Sequence, residues 1–357
     1  MNHSTLTIVC AIAILAVIPA LSIFYREFLD RTGLRPSVAL TVLISASSLL
    51  IWVLISLFIP AVWSSPLEYP TAALAAVGGF LASLTVRDTT SHPLPAILFA
   101  IGWTALVFVP VAIVVLFPIS VGIPITAGPV DLGGALPVQV AVGAGALVVL
   151  TVARRWAVED RSHARPRPWL LLISGLIIWA GWILGFVGLE LTVDSVITPR
   201  IIINSLIAPV LGIVGWLIAQ RMASATTNAT GAVAGLFTGL VAISAGSAYF
   251  TPLWAGLTGL VAGIASSLFV TRRVRATGRH AWFLVGAHLI AASVGLLMVG
   301  IFGLGLGLVY NGQPTLFEMQ FLSIVVVVLW SGFISLLLWL AVRQAARHER
   351  AVVAGSG

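Results

Sequence analysis

Charge is scarce in this chain. Only 11 acidic and 18 basic residues occur among 357, so 8% of the positions are charged, against about 25% in soluble proteins. That excludes an ordinary water-soluble fold, and no polar stretch is long enough to build a soluble domain between the apolar runs. Lysine is absent, and every basic side chain is arginine. There is one cysteine, Cys10, which excludes an intrachain disulfide and reads as a small buried apolar residue. No Gly-Lys-Ser/Thr follows any glycine-rich stretch, so a phosphate loop is not supported. Histidine is sparse too. His3, His92, His163, His280 and His348 lie in polar stretches or at an end, and only His288 stands inside an apolar run. Without a second His, Asp or Glu inside a run, no metal site forms around His288, and no serine has a plausible histidine base. The chain therefore reads as no enzyme, with neither cofactor nor metal.

What is present is apolar length. The composition is 60% hydrophobic with a mean hydropathy of +1.13. Runs of about 20 residues, enough to cross a bilayer core, recur from end to end. The reading is an all-α polytopic membrane protein with eleven transmembrane helices, at 7–24, 38–62, 71–86, 94–117, 132–153, 169–189, 201–219, 231–248, 252–270, 281–303 and 317–342. The first six residues carry no arginine, so the first run lacks the basic start of a cleavable signal peptide.

The pI near 10.9 reports topology and not nucleic acid, because the arginines cluster in alternate loops. Arg26, Arg31 and Arg35 follow the first run, and Arg154, Arg155, Arg161, Arg165 and Arg167 fill the central loop. Arg272, Arg273, Arg275 and Arg279 follow the ninth run, and Arg343, Arg347 and Arg350 follow the eleventh. With the N-terminus outside and the C-terminus cytoplasmic, only Arg200 falls outside. The bilayer is then the chain's solvent, in a multi-pass protein of the cell membrane.

Five runs, a basic loop and five more runs suggest a 5+5 inverted repeat plus a C-terminal helix, since an odd number of spans flips the second copy. The segments are 1–153 for the first five-helix repeat, 154–168 for the cytoplasmic basic loop and 169–303 for the second repeat. Residues 304–342 form an outer loop and the eleventh helix, and 343–357 a short cytoplasmic tail. Gln139 is followed at four and five positions by Gly143 and Ala144, and His288 by Ala292 and Ser293. Small residues on one face allow close helix approach, so Gln139 and His288 read as a matched pair able to meet near the midplane. An interhelical hydrogen bond with no pore role is an equal reading of Gln139. An intramembrane histidine is a site hypothesis by default.

Several stretches resemble the ammonium transporter family (Amt/Mep/Rh). They are Ile18-Pro19-Ala20-Leu21-Ser22-Ile23-Phe24-Tyr25 in the first run, Asp131-Leu132-Gly133-Gly134 with Gln139 in the fifth, and Gly181-Trp182 in the sixth. Gly235-Leu236 through Gly246 in the eighth, Gly286-Ala287-His288 with Gly295 and Gly300 in the tenth, and Leu329-Trp330-Ser331-Gly332 in the eleventh continue the likeness in order.

The resemblance implies a homotrimer with one pore per subunit, lined by two facing histidines. His288 takes the second histidine position, and Gln139 stands where the first belongs. Glutamine has no titrating group and cannot relay a proton by tautomer exchange. By the same resemblance Phe80 and Phe186 are the stacked gate above the histidines, and Trp182 neighbours them. The vestibule position that recruits the cation falls on Leu189 or, with Phe186 as the gate ring, on Glu190. Asp131 reads as the cap of the fifth run, with interfacial-belt and packing roles open for Trp182 and the phenylalanines.

The functional expectation is a divergent channel or transporter for ammonium/ammonia or a related small molecule. The alternatives are a transport-inactive sensor or scaffold, and a channel for another small neutral solute. No tail motif identifies a PII-type regulator.

Overall fold

The computed structural model describes residues 3–29, 37–87, 93–118, 128–153, 167–191, 193–224 and 226–355. Arg31, Arg35, Asp88, residues 119–127 of the outer loop and residues 154–166 of the basic loop lie outside the described residues.

Among the described residues all regular structure is helical. The long helices are α1 (His3–Phe28), α2 (Val38–Ser56), α3 (Glu68–Arg87), α4 (Pro93–Leu116), α5 (Ala135–Val152) and α6 (Pro168–Leu189). They continue with α7 (Ile197–Ser224), α8 (Ala229–Ile243), α9 (Pro252–Thr277), α10 (Trp282–Phe302) and α11 (Thr315–Gly355). Ten are long and apolar enough to cross a membrane, and α8 is a shorter apolar helix of 15 residues.

Their starts follow local chemistry. Prolines open α4, α6 and α9, where a missing N–H costs nothing. Ser37 caps α2 by accepting from Leu40 N (3.1 Å), and Asn228 caps α8 by accepting from Gly231 N (2.7 Å).

Four boundaries differ from the hydropathy reading. The second run breaks at Ser56, because Pro60 cannot continue an α-helical ladder and starts a separate turn, Pro60–Trp63. The third run is a full 20-residue helix. The eighth ends early at Ile243, where the next carbonyls are taken by another segment: Gly133 N donates to Ser244 O (2.9 Å) and Leu132 N to Ala245 O (3.2 Å). The eleventh helix runs on past 342 without a break to Gly355.

Helix α3 occupies the centre and is buried over nearly its whole length. Around it α1 packs on α6, α7 on α8 and α9, and α5 on α10 and α11. The ends of the bundle differ in charge. Arg26, Arg87, Arg221, Arg272, Arg273, Arg275 and Arg343 lie at or near the C-terminal ends of α1, α3, α7, α9 and, short of its projecting last turns, α11. Contacts join this basic end. Arg167 at the start of α6 pairs with Glu27 of α1 (2.9 Å), and Arg279 before α10 donates to Leu150 O (2.8 Å) and Ala153 O (3.1 Å) at the end of α5.

Among the described residues three helices contain a π-helical turn: Thr104–Phe108 in α4, Ala135–Val140 in α5 and Val285–Ile290 in α10. Such turns loosen carbonyls from the regular ladder, and in a bilayer water cannot replace the missing donors. Neighbouring side chains do so here. Pro110 has no N–H for Leu106 O, which instead accepts from Trp330 Nε1 (3.0 Å). Ser266 Oγ donates to Gly286 O (2.7 Å), and Ser331 Oγ donates to Ala141 O (2.6 Å) just past the turn in α5. In α5 and α10 the layout is the same, a six-residue π turn followed by twelve α-helical residues.

Candidate functional site

Gln139 and His288 each sit in one of these π turns. Gly143 lets the two helices touch: a Cβ there would fall 2.3 Å from Leu289 N, so any larger residue would push α10 away. At this distance the side chains meet, with His288 Nδ1 hydrogen-bonded to Gln139 Oε1. The other ring nitrogen, Nε2, is 2.5 Å from Tyr25 Oη. All three side chains are fully buried.

The donor pattern follows. A carbonyl oxygen only accepts, so Nδ1 carries the hydrogen and donates to Gln139. In the neutral ring Nε2 is then an acceptor, and the Tyr25 hydroxyl donates to it. Both ring nitrogens are satisfied. Gln139 Nε2, a buried NH2 group, has no partner. The unfilled capacity of the triad is thus a donor.

Asp131 builds the approach. Its carboxylate accepts from Ala135 N and Leu136 N, each at 2.7 Å, so it caps α5 one turn above Gln139. Gly134, at φ +72°, supplies the left-handed turn that swings those N–H groups toward Asp131. Burial pushes the Asp131 carboxyl up to about 6, against the opposing pull of the Leu136, Ala135 and Gly134 amides.

On the same side lies a small apolar cavity of about 10 Å3, lined by Ile14, Leu74, Trp182, Phe186 and Leu189 with three glycines. Gly133 is one of these, and a Cβ there would fall 2.5 Å from the Phe186 ring and 2.6 Å from Ser244 O. Trp182 is 93% buried, and it lines the cavity with Phe186.

One expectation needs correction. Phe80 and Phe186 do not stack. Phe186 sits over Gly133, whereas the ring contact of Phe80 is with Tyr25 (centroids 6.4 Å). Leu74 faces the cavity instead, six residues and roughly 9 Å up α3 from Phe80. Phe80 therefore lies on the basic side of the cavity, against Tyr25. Glu190 does not line the cavity, and Leu189 does. The half-buried Glu190 carboxyl is pushed above its usual range by burial and by the neighbouring charge of Asp194. Asp194 caps α7 and is held below the usual range by the Ile197 and Val196 amides.

Sequence reasoning missed Tyr25, Phe237 and Phe283. Phe237 meets His288 edge-on (5.6 Å), and Phe24, Phe28 and Phe283 pack behind it, with Phe28 and Phe283 centroids 3.9 Å apart. These rings close the basic side of the triad. The available signal for Tyr25 was its place in the first-run motif, but a tyrosine next to Arg26 at a helix end also reads as an interfacial anchor.

The sequence profile of the Ammonium Transporter Family matches residues 39–347. An ammonium transporter of Mycobacterium tuberculosis is 29% identical over 230 residues, which cover 60% of this chain and 47% of that protein. One of Bacillus subtilis is 30% identical over 169 residues, covering 47% and 40%. The chain thus spans about half the length of these curated relatives or less. Among solved structures, Saccharomyces cerevisiae Mep2 superposes with a TM-score of 0.80 at 17% identity, covering 95% of this chain and 87% of that one. A structure titled "Sensor Amt Protein" gives 0.80 at 18% identity, covering 96% and 93%. Both likenesses concern the fold.

Proposed function

The chain belongs to the Ammonium Transporter Family, and from that premise we propose that it is a divergent Amt-like channel that passes ammonia as a neutral molecule past His288 and Gln139. The observation that carries the reading is the unfilled donor of the triad. Tyr25 and Gln139 occupy the two nitrogens of His288, leaving the Gln139 NH2 group as the group free to bind a guest. Ammonia has a lone pair to accept that hydrogen bond. Ammonium has four donors and no lone pair, and a bare cation in an apolar pore bears a large desolvation cost. Glutamine cannot take the proton onward, so the proton stays outside.

In this reading the acidic end faces outward and the chain crosses eleven times, with α8 as the short crossing. Glu190 draws the cation toward the vestibule, Phe186 with Trp182 and Leu74 gates the approach, and Phe80 lines the far side. A homotrimer in the cell membrane is the assembly.

Proteoliposomes containing an internal pH indicator test the reading. An inward ammonium gradient is expected to alkalinise wild-type vesicles as ammonia enters. His288→Ala is expected to change the rate by about tenfold or more, the scale of one lost charge-free hydrogen-bonding site at about 1.4 kcal/mol. An unchanged rate in that variant would sink the role given to His288.

A second reading, a transport-inactive sensor or scaffold, is favoured by one observation: the triad is fully buried and the adjoining cavity holds at most about one water. Flux through wild-type vesicles above the empty-vesicle rate rules it out.

A further inference from the structure

Arg87 ends α3 on the basic side, where a long side chain ordinarily reaches out to the interface and keeps its charge in water. Arg26 and Arg167 do so, with side chains 38% and 56% exposed. Arg87 does the opposite. It is 97% buried, and Nε, Nη1 and Nη2 all lack a hydrogen-bond partner. Its guanidinium carbon lies 5.6 Å from the centre of the Phe80 ring, and the Phe80 ring lies 6.4 Å from that of Tyr25. Tyr25 is bonded to His288. One line of contacts therefore runs from the triad to a buried guanidinium.

Burying a charge without a partner is expensive, so the position calls for a function. Arg279, also buried at this end, is spent differently, on the carbonyls that close α5. The Phe80 face screens Arg87 only weakly, because a cation over a ring keeps its charge.

We propose that Arg87 is the cation barrier of the exit, a specificity residue whose unpaired charge keeps ammonium and alkali cations from following ammonia through the basic end. The inference rests on the pore reading above. Coulomb repulsion over roughly 10 Å at an effective dielectric constant of about 20 lowers cation occupancy beyond Tyr25 by about tenfold or more. A neutral guest feels no such force. An arginine serves this purpose better than a histidine because it stays charged even when desolvated.

The test uses the full-length chain in liposomes, with wild type, Arg87→Gln, Arg87→Lys and Arg87→Met compared after each is shown to be monodisperse. Arg87→Met fills the buried volume without charge and serves if the glutamine variant fails to fold. Two quantities are read together: internal alkalinisation under an ammonium gradient, and current under ammonium or potassium gradients. Wild type and Arg87→Lys are expected to alkalinise the vesicles with little current. The neutral variants are expected to keep the alkalinisation and add a cation current about tenfold above wild type. Neutral variants that alkalinise normally and carry no added current overturn the barrier while leaving the pore intact. Wild-type vesicles that neither alkalinise nor conduct overturn the pore reading, and the barrier falls with it.

Discussion

At the scale of single residues, the triad depends on a tyrosine contributed by the helix farthest from His288 in the chain. Tyr25 donates to Nε2, and Gln139 accepts from Nδ1, so the ring is held in one tautomer from both sides. Tyr25→Phe keeps the ring packing and removes one donor, leaving a buried acceptor unpaired. The expected cost is about 1–3 kcal/mol, read as a lower melting temperature in detergent. A melting temperature equal to wild type would mean that Tyr25 does not hold the imidazole. Gln139 and His288 were legible as polar exceptions in apolar runs. Tyr25 was not, because its neighbour Arg26 makes an interfacial anchor an equally good reading. Glu190 and Leu189 are adjacent in sequence, and only the rotation of the last turn of α6 decides which one faces the cavity.

At the scale of elements, the site exists because two helices carry a π turn in their first turns and cross at a glycine. A Cβ at Gly143 would collide with the α10 backbone, so the hydrogen bond between Gln139 and His288 requires that residue. The third π turn has its own dependency. Trp330 of α11 supplies the donor that Pro110 cannot give to Leu106 O. Trp330 is 43% exposed, on an apolar face where no water can take its place. Trp330→Phe is expected to cost about 1–2 kcal/mol, the price of one unpaired carbonyl. Chemical denaturation in a mild detergent measures it, and an unchanged midpoint would show that another donor serves Leu106. These turns also explain a failure of the sequence reading. A π turn adds a residue to the helix and rotates everything after it by about 100°, so facing residues cannot be counted along a regular helix. The gate is a related case. Phe80 and Phe186 were paired by motif, but depth along α3 puts Leu74, not Phe80, beside Phe186 at the cavity.

At the scale of the whole molecule, pH acts through groups at the acidic end. Asp131 is raised to about 6 by burial, above its value in an unfolded chain. The folded state then holds a proton that the unfolded state has lost between about pH 4 and pH 6. Stability from this group is greatest below pH 4, falls as pH rises through that window and stays level above it. Glu190, also raised, acts in the same direction, while Asp194, held low, contributes stability above the usual carboxylate range that is lost in stronger acid. Melting temperatures from pH 7 to pH 4 are therefore expected to rise, and Asp131→Asn is expected to flatten the rise. A wild-type profile that already falls over this window would reverse the assignment for Asp131.

Hydropathy and charge are one-dimensional signals, and they determined by themselves the helical class, the long apolar helices in order and the arginines gathered at one set of helix ends. The isolation of His288 and its kinship with Gln139 were readable in the same way, since each is an exception to its own run. Which side chains converge was decided by the tertiary structure alone. Tyr25 reaching His288, Phe80 turning to the basic side and Arg87 folding inward all depend on helix depth and rotation, which close contacts between glycines and π turns set and which no pattern along a single run encodes.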